Sequence, residues 1–157
     1  MPSAPLAIRP ALRSDLKAAD ALERANFTSF PISARQLRYL QDNPRAIFLV
    51  ATKDREIVGD AIALVRRNYS AAPSGRIYSI VVEPAHRGEK IGVRLLAGLI
   101  DELKRRCVGH ISLEVEKSNV PAIALYQRLG FALARPLPHY YGRSRHGIRM
   151  TLDLNAL

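Results

Sequence analysis

The residues best arranged for chemistry lie in the second half of the chain. The apolar run Ile77 to Val82 leads into Glu83-Pro84-Ala85-His86-Arg87-Gly88-Glu89-Lys90-Ile91-Gly92, and this turn opens directly into a strongly periodic apolar pattern. A strand, a short glycine-bearing turn and a helix start gather free backbone N–H groups and the positive end of a helix dipole around one point. That arrangement suits a pyrophosphate, although an ordinary strand-to-helix connection has the same outline. Farther on, Ser112 and Glu114 alternate with Ile111, Leu113 and Val115, which puts the carboxylate on the polar face of a strand. Tyr126 stands at helical spacing with Ala122 and Leu129, as a core tyrosine would, and Asn119 precedes that helix as a cap would. The lone Cys107 cannot form an internal disulfide or a cysteine-based metal site, and it reads as a small packing residue.

The elements that must position these groups follow from periodicity. Ser14 and Asp15 cap a first helix through Ala25, with Leu16, Ala19, Leu22 and Ala25 on one buried face; Ser33 starts a second, closed by Asn43-Pro44. Ala46 to Thr52 and Ile57 to Val65 form a hairpin across Lys53-Asp54-Arg55-Glu56. The strand Ile77 to Val82 and the helix Ile91 to Arg106 come next, then the strand His110 to Glu116 and a short helix Pro121 to Leu129 stopped by Gly130. Phe131 to Arg135 and the alternating Ile148, Met150, Leu152 and Leu154 give two last strands. The order predicts an α/β sandwich, a central mixed sheet flanked by helices.

With 157 residues the chain is expected to be one domain over 1–157. No stretch approaches the roughly 20 apolar residues of a membrane span, and the segment Met1 to Arg13, with Pro2, Pro5 and Pro10, lacks the pattern of a secretory signal. A soluble, cytoplasmic protein is the expectation, with no metal and no membrane partner, as a monomer or a homodimer. The formal net charge of +10 invites nucleic acid, acidic protein or a polyanionic cofactor. Because no recognised nucleic-acid-binding pattern accompanies the charge, nucleic acid is not expected as a partner.

Two blocks make the reading specific. Val82-Glu83-Pro84 and Arg87 through Gly92 resemble the acetyl-CoA-binding motif of the GNAT superfamily of N-acetyltransferases, with Lys90 where the first glycine is usual. Leu113 through Phe131, with Leu-Glu-Val, Ser-Asn, Ala, Leu-Tyr and Gly-Phe in order, is similar to bacterial ribosomal-protein N-terminal (alanine) acetyltransferases of that superfamily. The resemblance implies the mostly antiparallel GNAT sheet and acetyl transfer from acetyl-CoA to a primary amine, most of all the α-amine of a protein N-terminus.

It also assigns roles. Ile80, Val81, Val82, Arg87, Gly88, Glu89, Lys90, Ile91, Gly92 and Asn119 would contact the cofactor, Glu114 would be the base, and Tyr126 would protonate the departing thiolate. Tyr140 and Tyr141, in the loop His139 to His146, would cover the acceptor peptide, with Arg143, Arg145 and Arg149 as a positive rim. The family's Tyr-Tyr-Pro is Tyr-Tyr-Gly here, and an acidic residue usual before the last strand is replaced by a basic run. A small-amine acetyltransferase and a noncatalytic module binding acyl-CoA or nucleic acid are the competing readings.

Overall fold

Most elements begin and end where local chemistry requires. The computed structural model describes residues 5–26, 32–69 and 71–155, so Pro2 lies outside the described residues. A short strand β1 (Ala7–Pro10) leads through a 3-10 turn (Arg13–Asp15) into α1 (Leu16–Asn26). The Asp15 carboxylate accepts the Leu12 N–H at 2.7 Å and pairs with Arg9 at 2.6 Å, which ties β1 to the start of the helix. Helix α2 (Ala34–Asp42) carries a reciprocal cap, with Gln36 N–H on the Ser33 hydroxyl and the Ser33 N–H on the Gln36 side chain. Strands β2 (Ala46–Lys53) and β3 (Glu56–Arg66) turn at Asp54 and Arg55, both at positive φ (53° and 65°), the handedness that matches strand twist in a two-residue hairpin.

After β4 (Ser74–Val82) and a 3-10 turn (Pro84–His86) come α3 (Ile91–Arg105), β5 (His110–Glu116), α4 (Val120–Arg128), β6 (Ala132–Leu137) and β7 (Gly147–Asp153). The sheet order is β1-β2-β3-β4-β5-β7-β6. It is mixed: β1 pairs antiparallel with β2, β4 parallel with β5, and β7 antiparallel with both β5 and β6. The expected α/β sandwich is therefore present, with β1 as an element that periodicity did not reveal. Four residues ending in proline carry too little pattern to be read.

The chain divides into two compact units, 1–63 with 79–102 and 64–78 with 103–157. The first packs Leu22 of α1 and Leu37 of α2 with Ile62 of β3 and Leu95, Leu96 and Leu99 of α3 among its buried side chains. The second buries Leu103, Ile111, Leu113, Phe131, Met150 and Leu152. No helix among the described residues is long and apolar enough to cross a membrane.

Two positions differ from the sequence reading. Cys107 is exposed at φ 61°, just past the end of α3, so it ends a helix rather than packing a core. On α1, Ala25 faces outward, while the buried face includes Glu23, which is 0% exposed. Glu23 accepts the Ser79 hydroxyl at 2.6 Å and lies beside Asp60 of β3, also 0% exposed. Neither Asp60 oxygen nor Glu23 Oε2 meets an N–H or O–H donor of another described residue, so a proton must lie between the two carboxyls. Burial, reinforced by the Glu23 charge, holds Asp60 well above the ordinary carboxylate range, and burial raises Glu23 as well.

The folded pair thus keeps a proton that the unfolded chain releases near pH ~4, and stability must fall as pH rises from there through the folded titration. Asp60→Asn removes the requirement for that proton while keeping a hydrogen-bonding side chain of the same shape. The fall in Tm between about pH 5 and about pH 8 should be smaller in Asp60→Asn than in the parent. Equal slopes in thermal denaturation would show that the pair is not sharing a proton.

Candidate active site

In the first unit, the end of β4 runs through a short 3-10 turn into the start of α3, the segment expected to meet an anion. The Glu83 N–H bonds to Val58 O at 2.8 Å, which fixes the strand end against β3. Close approach there depends on Gly59, since a Cβ at that position would stand 2.8 Å from Val81 O. Sequence reasoning missed Gly59; a glycine inside a strand pattern was the available signal. The chain then turns through His86 N–H to Glu83 O and Arg87 N–H to Pro84 O. The Glu89 carboxylate is pinned by Lys53 Nζ at 2.6 Å and His86 Nδ1 at 2.9 Å, and the Lys53 bond chiefly lowers its pKa. Arg87 reaches Asn26 at 3.3 Å.

Gly88 has φ 88° and Lys90 has φ 62°. Lys90 therefore holds the left-handed backbone that a glycine adopts without strain, and its exposed ammonium stands at the head of α3, whose first turn leaves N–H groups without intrahelical acceptors. Val81 and Ile91 are buried at 4% and 2% exposure, so only their backbones are available to a ligand.

In the second unit, β5 presents Glu114 on the face opposite Ile111, Leu113 and Val115, as alternation requires. It is not a solvated charge: its side chain is 6% exposed. Arg149, its partner across the β5–β7 register, donates Nη2 and Nε to Oε1 at 2.8 and 3.2 Å. Arg76 of β4 donates Nε to Oε2 at 3.1 Å, stacks over the Tyr78 ring at 5.0 Å and reaches the Tyr140 hydroxyl at 3.4 Å. Arg76 was invisible as a site residue, because only the parallel pairing of Arg76 with Ser112 brings it beside Glu114.

Tyr126 on α4 is 8% exposed, and its ring lies 5.9 Å from that of Phe131. Burial pushes its phenol up to about 12. Asn119 caps α4 by accepting the Ala122 N–H at 3.3 Å, so its side-chain oxygen serves the helix.

The loop between β6 and β7 is tied down at several points. Arg145 pairs with Glu116 through Nη2 at 2.7 Å and Nε at 3.2 Å, Lys117 N–H bonds to His146 O, and Tyr141 N–H bonds to Arg145 O. The Nδ1 atoms of His139 and His146 accept the N–H groups of Ser144 and His139. Gly142 has φ 135° and donates its N–H to His139 O, neither of which a proline could do. The departure from Tyr-Tyr-Pro is thus a different loop conformation.

Tyr140 and Tyr141 meet edge to face at 5.0 Å. A Cβ on Gly147 would collide with the Tyr141 ring at 2.8 Å. Burial raises the Tyr141 pKa, and so do the charges of Tyr140, Glu114, Tyr126 and Glu116, which places Tyr141 within electrostatic reach of both the carboxylate and the buried phenol. The expected positive rim is largely neutralised, since Arg145 and Arg149 each face a carboxylate. Among the described residues no group of three His, Cys, Asp or Glu side chains is placed to hold a metal ion.

Known proteins are similar to this chain in sequence and in fold. The chain is 34% identical over 128 residues to the [ribosomal protein bS18]-alanine N-acetyltransferase of Salmonella typhimurium, covering 82% of each. The Escherichia coli protein of that name is 45% identical over 65 residues, a match spanning 41% of this chain and 44% of that relative's length. The crystal structure of the ribosomal-protein-S18-alanine N-acetyltransferase from Escherichia coli superposes with a TM-score of 0.80 at 30% identity over 96% of this chain and 94% of that one. Arabidopsis thaliana NAA60, solved in complex with acetyl-CoA, shares the fold with a TM-score of 0.86 at 19% identity over 96% and 99%. The model of the acetyltransferase (GNAT) family matches residues 16–131, and the chain belongs to that family.

Proposed function

We propose that this protein transfers the acetyl group of acetyl-CoA to the α-amino group of a protein N-terminus, by direct attack in a ternary complex, and that residues 1–157 act as one catalytic domain in the cytoplasm. The observation that carries this reading is the presence, in one unit, of a buried phenol, Tyr126, and a buried carboxylate, Glu114, held by two arginines. Family membership and the names of the relatives supply the acetyl donor and the class of acceptor.

In this reading the turn from Arg87 to Gly92 takes the pyrophosphate, the strand-end backbone of Ile80, Val81 and Val82 takes the acyl-bearing arm, and Asn119 adds a contact beside its capping bond. A carboxylate has about four acceptor sites. Three are filled in Glu114 by guanidinium donors, which leaves one for a water that passes the amine proton. An α-amine, with a reference pKa near ~8, needs far less help from such a base than a lysine near ~10.4. Attack forms the C–N bond on the thioester carbon, and a backbone N–H at the strand end stabilises the tetrahedral oxyanion. Collapse then breaks the C–S bond. The leaving sulfur takes the Tyr126 proton, and Tyr126 recovers one from solvent. Tyr140 and Tyr141 form a wall for the acceptor peptide.

Tyr126→Phe should fold, bind acetyl-CoA normally and lose roughly 10²-fold or more in kcat. In the parent, a phenol pushed up to about 12 keeps its proton, so kcat should show no alkaline loss through about pH 10. Unchanged turnover in the variant removes Tyr126 from the reaction.

Lys90→Gly should raise Tm by relieving the left-handed backbone while weakening acetyl-CoA binding and flattening its salt dependence, through loss of a charge beside the phosphates. Calorimetric titration at two salt concentrations checks this, and unchanged affinity would show that Lys90 touches no phosphate.

The acceptor itself is tested by CoA release against matched N-terminal peptides and free small amines. Peptides with acidic or neutral residues after the first position should exceed lysine-rich ones in kcat/KM by only about a few fold, because two of the three rim arginines are already paired. Activity confined to small amines would overturn the assignment to protein N-termini.

A further inference from the structure

The charge of the second unit is unevenly placed, and its uneven part lies outside the residues assigned above. The loop after β3 opens with Arg66-Arg67-Asn68-Tyr69, all exposed, and Tyr69 is 100% exposed. A tyrosine in that position gains nothing from burial, the usual use of its large apolar ring. The loop returns through Pro73, whose carbonyl accepts the Gly109 N–H at 2.8 Å, and Ala72 lies so close that a Cβ on Gly109 would stand 3.1 Å away.

Gly109 also follows the end of α3, which is closed by Cys107 N–H to Lys104 O and Val108 N–H to Leu103 O. The basic triplet Lys104-Arg105-Arg106 and the Arg66-Arg67-Tyr69 loop are thereby joined through one short segment. The Leu154 N–H bonds to Gly109 O, which brings the end of β7 to the same place. Arg128 closes α4 and stands four residues before the first residue of β6, Ala132, which pairs with Thr151 near the end of β7. In the described parts of these stretches, 66–69, 71–74, 103–110, 128–132 and 153–155, six Lys or Arg residues stand against one carboxylate, Asp153.

Cations at the end of α3 complement its dipole, and that accounts for Lys104 and its neighbours. The dipole does not call for Arg66, Arg67 or an unburied ring. Exposed cations and an exposed aromatic ring on segments that the backbone bonds of Gly109 tie together match a chain of phosphates whose bases are free to stack. An acidic protein would use the cations and leave the ring idle, and a duplex keeps its bases stacked on each other.

We propose that the β3–β4 loop and the C-terminal end of α3 form a binding surface for single-stranded nucleic acid. Arg66, Arg67, Lys104 and Arg128 neutralise its phosphates, and Tyr69 stacks on a base. The surface uses none of the residues assigned to acetyl transfer, so it stands or falls independently of that assignment.

Fluorescence anisotropy tests this with the full chain and labelled oligo-U and oligo-dT strands of about 12 nucleotides, within the site sizes common for such grooves. Binding of either strand is expected; tighter binding of oligo-U would assign the contact to RNA. Tyr69→Ala should weaken binding about tenfold, the loss of one stacked base. The double variant Arg66→Ala/Arg67→Ala should make the slope of log K against log salt shallower by roughly 1.4. Lys17→Ala, which removes an exposed charge on α1, should leave binding unchanged, and peptide acetylation should be the same in all variants. Failure of both strands to bind overturns the proposal. So does equal competition by base-free polyphosphate, equal affinity for a duplex, or full binding by Tyr69→Ala, each of which would reduce the surface to an unspecific basic patch.

Discussion

Glu114 is a carboxylate with almost no access to water, held between two guanidinium groups that arrive from different strands. A desolvated charge of this kind is tolerable only if the lost hydration is replaced by well-aimed donors. The replacement depends on strand register. A one-residue slip of β7 would carry Arg149 to the opposite face, and a slip of β4 would do the same to Arg76. The chemistry of this unit thus requires β4, β5 and β7 to stay in one alignment. Ile111, Leu113, Val115, Met150 and Leu152, all buried, enforce that alignment from the other side of the same strands.

Elsewhere the backbone bends where side chains would resist. Lys90, His139 and Ser144 hold positive φ values, and Gly142 takes an angle closed to proline. Such conformations persist when their surroundings over-determine them, and they concentrate in segments that meet ligands. The β6–β7 loop is over-determined by the Arg145–Glu116 pair and by two histidine rings 4.6 Å apart whose Nδ1 atoms accept backbone N–H groups. Tyr140 and Tyr141 are therefore held by a braced loop, and for the proposed acceptor this reduces the ordering that binding must impose.

The first unit solves a different problem. Glu23, Asp60 and Ser79 form a polar cluster inside an otherwise apolar packing, tied by the Ser79 hydroxyl and by burial that raises both carboxyl pKa values. The cluster joins α1 to β3 and to the part of β4 that precedes the phosphate turn. The same stretch of β3 supplies Gly59, whose missing side chain admits Val81 O. A polar tie and a steric allowance on neighbouring residues thus set the position of the strand end.

Local pattern along the chain set the elements from Ile77 to Phe131, the polar face of β5 and the resemblance to the family, because periodicity, caps and turn residues act over a few positions. It also marked Lys90 as anomalous, since a lysine in a glycine position is visible in a string of letters. Only the tertiary structure decided what those residues touch. Arg76 became a partner of Glu114 through parallel pairing between strands separated by a whole helix. Glu23 and Asp60 became neighbouring buried carboxyls with raised pKa values, although they stand 37 positions apart in the chain. The positive rim was reduced because Arg145 and Arg149 found carboxylates on β5. Coulomb energy and desolvation depend on distances in space, and those distances are fixed by long-range packing that no local pattern contains.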